Sequence, residues 1–169
     1  ADRLAQEAEW RRAEMPLIEE LHAAGFPVES AWDFVNTAIA HTDALPILLD
    51  HLQRSYPPRV REGIARALAV PQSIFGWSVL IRLYRKEQTR DAKHGLAVAI
   101  AAAADDDVID DVISLARDIR NGDSRLLLLS ALERSGVRRA KAVLMELGTD
   151  PDFREEIQVI LRRLKRRKH

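Results

Sequence analysis

The 169-residue chain contains no cysteine, which excludes disulfide frameworks, thiolate zinc sites and cysteine nucleophiles together. It carries no net charge: 26 Lys and Arg balance 26 Asp and Glu, so no global field draws it to nucleic acid or an anionic membrane. Long apolar runs are missing too. The longest candidate, Gly95 to Ala104, is alanine-rich and far short of the ~20 residues a membrane span needs. Glycine and proline occur seven times each and aromatic residues make up 5% of the chain. What remains is dominated by Ala, Leu, Arg and Glu, which favour helix. The absence of cysteine accords with a reducing compartment, and the expectation is a cytoplasmic protein with no membrane association.

What is present is a repeat. The segment VREGIARAL from Val60 returns as AKHGLAVAI from Ala92, SRLLLLSAL from Ser124 and FREEIQVIL from Phe153, with a weaker copy, VESAWDFVN, from Val28. The spacings are 32, 32, 32 and 29 residues, a period at which chains build solenoids. These copies read as second helices with apolar residues at i, i+4, i+7 and i+8: Val60, Ile64, Ala67 and Leu68 in the clearest case. Trp32 takes the i+4 position in the first copy. Between them lie first helices with apolar residues at i, i+3, i+4 and i+7, the mark of one buried face. Leu45, Leu48, Leu49 and Leu52 form one such set, and Trp77, Leu80, Ile81 and Tyr84 another. Ile109 to Ala116 and Ala140 to Leu147 repeat it, and Leu17, Ile18 and Leu21 open the series. Gly25-Phe-Pro27, Tyr56-Pro-Pro58, Gly122-Asp-Ser124 and Thr149-Asp-Pro-Asp152 supply helix stops and caps between the two. Pro16 and Pro46 fall where helix starts tolerate proline.

The segment Pro58-Arg-Val-Arg-Glu-Gly-Ile-Ala-Arg-Ala-Leu68 resembles the second helix of short HEAT-type repeats, D-x-x-V-R-x-x-A-x-x-A-L, and Asp152-Phe-Arg154 with Ile157 and Leu161 echoes it. From about Glu14 to Leu164 the chain resembles small bacterial HEAT-repeat proteins. The resemblance implies an α-solenoid that binds partners. The expected fold is all-α: a right-handed α-solenoid of about five antiparallel helix pairs with a ~32-residue period. It forms one domain over residues 1–169, with a polar N-terminal capping helix at 1–13, repeats at 14–161 and a basic tail at 162–169.

Several features bear on function. A basic residue follows the first position of four second-helix copies: Arg61, Lys93, Arg125 and Arg154. These could form a stripe gripping an acidic partner or phosphates, or a structural ladder with Glu87, Asp118 and Asp150. The ladder is favoured, because stacked repeats must satisfy the polar groups between them and Glu29 interrupts the stripe. The tail Arg162-Arg-Leu-Lys-Arg-Arg-Lys168 holds six basic residues in seven, a run that can contact nucleic acid or complement the helix dipole. Asp105, Asp106, Asp107, Asp110 and Asp111 match no calcium loop and read as caps and dipole partners. His22, His41, His51, His94 and His169 contain no i, i+4 ligand pair, although His41 and His51 could approach across a turn.

The expectation is a non-enzymatic protein-interaction module or scaffold without cofactor or metal. Its second helices would line a concave face and present Arg59, Glu62, Arg66, Lys93, Arg125, Glu155 and Gln158 to a protein partner. The alternative is nucleic-acid binding through the ladder and tail. Some HEAT-like proteins are DNA glycosylases, and Trp32 with Asp33 offers the residue types they use. Both Trp32 and Trp77, however, read as core positions.

Overall fold

A computed structural model describes residues 2–169 and is all-helical, with ten α-helices and no strand among the described residues. One series comprises α1 (Asp2–Ala23), α3 (Leu45–Leu52), α5 (Trp77–Lys86), α7 (Ile109–Arg117) and α9 (Arg138–Leu147). It alternates with α2 (Trp32–Asn36), α4 (Pro58–Ala67), α6 (Arg90–Ala103), α8 (Leu129–Arg134) and α10 (Arg154–Arg167). These are the first-helix and second-helix patterns of the sequence, in order. Pro46 and Pro58 stand in the first turns of α3 and α4, where a missing N–H costs nothing. A 3₁₀ segment, Ile119–Leu128, leads into α8 and is broken at Gly122 (φ 64°, ψ −147°), a conformation that glycine reaches without Cβ strain.

Within pairs, α3 packs on α4, α5 on α6, α7 on α8 and α9 on α10. Between pairs, second helices meet second helices: α2 on α4, α4 on α6, and α6 on the 119–134 stretch, while α1 meets α3 and α7 meets α9. The α4–α6 interface is the most extensive, and Gly95 makes it so. A Cβ on Gly95 would lie 2.9 Å from the backbone oxygen of Glu62, so only glycine lets the two helices approach this closely. A single apolar cluster runs from Leu17 to Ile160.

Polar cross-links recur about one repeat apart. Trp77 Nε1 donates to Asp111 (2.9 Å), Arg117 to Glu146 (2.9 Å), Arg163 to Glu133 (2.8 Å) and Arg82 to Gln53 (3.0 Å). The aspartate cluster enters the same scheme. Asp105 accepts from the Asp107 N–H at 3.0 Å, Asp106 accepts from Ser135 Oγ at 2.7 Å, and Asp110 pairs with Arg139.

Two expectations need correction. No boundary separates a capping helix at 1–13 from a first repeat helix, because α1 runs unbroken from Asp2 to Ala23 with Pro16 inside it. Pro16 and Arg12 are both exposed, so the carbonyl that loses its intrahelical donor can be hydrated instead. The first second-helix copy shrinks to the five residues of α2. Its buried residues are Val28, Ala31 and Phe34 rather than Trp32. Trp32 lies half-buried over Gly63, where an added Cβ would come within 2.4 Å of the indole Nε1. Trp77 is likewise half-buried at the core margin.

Candidate functional site

Three of the four ladder cations, Arg61, Lys93 and Arg125, are consumed within the protein, whereas Arg154 is exposed, and Lys141 of α9 joins the scheme. Lys93 Nζ donates to the Tyr84 carbonyl at 3.0 Å, and Arg125 Nη1 donates to the Ala116 carbonyl at 3.1 Å. Lys141 Nζ donates to Leu132 at 3.2 Å, to Glu133 at 2.6 Å and to Ser135 at 2.7 Å. In each case the cation reaches carbonyls at the C-terminal end of the α-helix before it. Those carbonyls lack intrahelical donors and carry the negative end of the dipole. Two of the three expected acids join in as ion-pair partners: Glu87 pairs with Arg61, and Asp150 lies 3.8 Å from Arg125. Lys93 and Arg125 also cover the rings of Tyr84 and Phe153, at 4.5 and 4.4 Å from the centroids.

Burial pushes the Lys93 ammonium below its ordinary value. Burial opposes ionisation of Glu87, but hydrogen bonds from the Thr89 amide and hydroxyl and from Arg61 outweigh it and hold the carboxyl below its usual range. A depressed folded pKa stabilises above the unfolded value near 4.5 and is lost as pH falls through the folded one. Glu87→Gln is therefore expected to be less stable than the parent in urea unfolding at pH 7. The gap should close as the pH is lowered toward 3.

The seven residues expected to face a partner divide into three groups. Arg59, Glu155 and Gln158 are exposed, and Arg66 and Lys93 are half-exposed. Glu62 and Arg125 are buried, at 7% and 5% exposure, and cannot face a partner. Glu62 is enclosed because the close α4–α6 contact at Gly95 runs over it, and its carboxylate accepts from Arg66 (2.8 Å) and Arg59 (3.3 Å). Arg125 is drawn inward by the Ala116 and Gly122 carbonyls and the Phe153 ring. Arg59 also lies 4.0 Å above the Trp32 ring. His41 and His51 do not meet as a pair. His41 Nε2 faces the Ala67 carbonyl at 2.7 Å, and His51 lies between Tyr56 and Glu20.

A polar cleft of about 590 Å³ opens between the 87–94 and 118–124 segments. Several of its charges pair within it: Arg90 and His94 both reach Asp123 (2.9 and 2.8 Å), and Arg120 holds Asp118 at 2.8 Å. The Arg120 bonds bring the Asp118 carboxyl down to about 2. Burial pushes the Tyr84 phenol nearby up to about 12, and its hydroxyl lies 2.6 Å from Ser124 Oγ.

A second concavity, of about 390 Å³, is apolar at its base and spans α6, the 119–134 stretch and α10. Val98, Ala102, Leu126, Leu127 and Ile160 line it, with Glu156 and the Glu133–Arg163 ion pair at its edge. None of the seven expected residues lines this groove. The sequence did carry a signal for it. Leu126-Leu-Leu-Leu129 is a run of four, and a helix that buries one face cannot direct four consecutive side chains into it. Leu128 and Leu129 fill the core at 0% and 1% exposure, while Leu126 and Leu127 remain half-exposed in the groove.

Among the described residues no single helix is long and apolar enough to cross a membrane. Comparison with protein-family models, with curated proteins and with solved structures finds no match for this chain.

Proposed function

We propose that this chain is a non-enzymatic, HEAT-like α-solenoid whose five helix pairs form a right-handed stack and whose second-helix face binds a segment of another protein. The strict alternation of first and second helices supports the stack, as do the polar links one repeat apart. The observation that carries the binding function is the groove itself. Half-exposed Leu126 and Leu127 of the 119–128 segment with Val98 of α6 provide an apolar floor, α10 flanks it with Ile160, and a rim of both charge signs surrounds it. Such a floor suits the apolar side of an amphipathic segment, with the rim contacting its polar flank. Binding rather than chemistry is favoured because both carboxylates on the 118–124 side of the polar cleft, Asp118 and Asp123, are held by Arg120, Arg90 and His94.

Leu127→Glu tests the proposal. The side chain is half-exposed, so the substitution should leave the thermal midpoint within a few degrees of the parent. A partner captured by the parent from nuclease-treated lysate should be lost. Arg82→Glu, on the first-helix series, should retain it. Undiminished capture by Leu127→Glu would exclude the groove.

Nucleic-acid binding rests on a different observation. Of the six basic residues at the end of α10, Arg163 is paired with Glu133, and the other five are exposed without an ion pair among the described residues. All 26 acidic residues precede the tail, so positive charge concentrates there. Replacing Arg162, Lys165 and Arg166 by Gln should abolish any shift of DNA or RNA at low salt. A shift that persists would remove the tail from the explanation.

A further inference from the structure

His51 sits on the buried face of α3 beside Leu48 and Leu52 and is 0% exposed. A buried imidazole must satisfy both ring nitrogens, and this one does so in opposite directions. Nδ1 lies 2.8 Å from Tyr56 Oη, whose ring stacks on the imidazole with centroids 6.0 Å apart. Nε2 points outward to the Glu20 carboxylate of α1. Asp50, the next residue on α3, brings a second carboxylate to the same place. One ligand atom each from Glu20, Asp50 and His51 lie within 4.8 Å of one another, the one such trio among the described residues.

We propose that Glu20, Asp50 and His51 bind a first-row divalent metal ion, for which Zn²⁺ is the probe of choice. One imidazole nitrogen and two carboxylate oxygens make a three-ligand set for zinc, with the remaining position open to water. The nitrogen disfavours Mg²⁺ and Ca²⁺, which prefer oxygen throughout. Two carboxylates neutralise the charge of the ion. Tyr56 serves the loaded and unloaded states alike. Without metal, Nε2–H donates to Glu20 and Nδ1 accepts from the Tyr56 hydroxyl. With metal, the tautomer reverses, Nδ1–H donates to the Tyr56 oxygen and Nε2 ligates. A hydroxyl can play either part, and such a partner fixes a ligating histidine in orientation.

Access runs through the carboxylates, whose side chains are 47% and 59% exposed. Zinc holds its ligand atoms about 3.3 Å apart, so Glu20 must withdraw from the ring to admit the ion, which its exposure allows. Asp50 must release Arg54, now 2.8 Å away in a surface pair of the weak, solvent-screened kind. The site is built on α1 and α3, neither of which lines the groove.

Isothermal titration of the EDTA-stripped full chain with ZnCl₂ tests the site. Saturable one-to-one binding is expected, weakened at least tenfold by Glu20→Gln and by Asp50→Asn. Both positions are exposed and should leave folding intact. His94→Gln, which alters the other His–carboxylate pair, should bind as the parent does, and Tyr56→Phe should weaken binding by roughly tenfold. Zinc should also raise the parent's thermal midpoint and leave that of Asp50→Asn unmoved. Absence of saturable binding to the parent would overturn the proposal. So would an affinity in Glu20→Gln and Asp50→Asn equal to the parent's.

Discussion

Arg125→Ala is expected to lower the unfolding free energy by about 3 kcal/mol, whereas Arg154→Ala, at the matching position of the last repeat, should change it by less than about 0.5 kcal/mol. The sequence makes the two arginines equivalent, but the structure does not. Arg125 is 5% exposed and donates to the Ala116 and Gly122 carbonyls at 3.1 and 3.0 Å while covering the Phe153 ring. Truncating it leaves the buried Ala116 carbonyl without this donor, opens a void over Phe153, and removes the cation from the end of α7. Arg154 is exposed in the first turn of α10, where a positive charge meets the unfavourable end of the dipole. Urea denaturation of the two variants measures the difference directly. Equal and small effects would mean that Arg125 is a surface residue and that the ladder's cations are available to a partner after all.

Gly95→Ala should cost about 2 kcal/mol, and Gly95→Val more. At an exposed mid-helix site Gly→Ala stabilises by up to about 1 kcal/mol, so the expected sign is reversed here. The reversal has one cause: the new Cβ meets Glu62 backbone atoms at 2.9 and 3.2 Å. Backbone in a packed helix cannot step aside without moving α4 off α6, which is overpacking in its costly form. Gly63→Ala provides the contrast. Its nearer clash, 2.4 Å, is with the half-exposed Trp32 ring, which can swing outward, so the net change should stay within about 1 kcal/mol. Thermal or urea unfolding of both variants separates the cases. If Gly95→Ala proves stabilising, the α4–α6 contact is looser than the structure shows.

The helical positions were legible because burial repeats with the helical period. Val60, Ile64, Ala67 and Leu68 are all buried, as are Leu45, Leu48 and Leu52 of the preceding helix. Legibility failed where a side chain's fate depends on a neighbour one repeat away. Glu62 occupies a position between core residues of α4 and reads as solvent-facing, yet Gly95, 33 residues later, brings α6 down onto it. Arg125 and Lys93 read as rungs of a ladder to acidic residues, but the groups that hold them include carbonyls at the ends of the preceding helices, which no spacing rule for side chains reports. His51 belongs to no histidine pair, because its neighbours are carboxylates, one of them 31 residues upstream. By its match to Ile64, Trp32 reads as a core residue. The first copy instead collapses to one short helix, and Ala31 and Phe34 take the buried positions. The groove could have been read from four successive leucines at 126–129, an excess that one buried helical face cannot absorb.

The assignment of the second-helix face as a protein-binding surface is tested most directly by site-specific photocrosslinking in the cells that make the protein. A photoreactive amino acid would be placed at Leu127 in the groove and, separately, at Arg82 on the first-helix series. The expected result is a discrete, nuclease-resistant protein adduct from position 127 and none from position 82. Adducts from position 82 alone, or adducts at 127 that disappear on nuclease treatment, would contradict it.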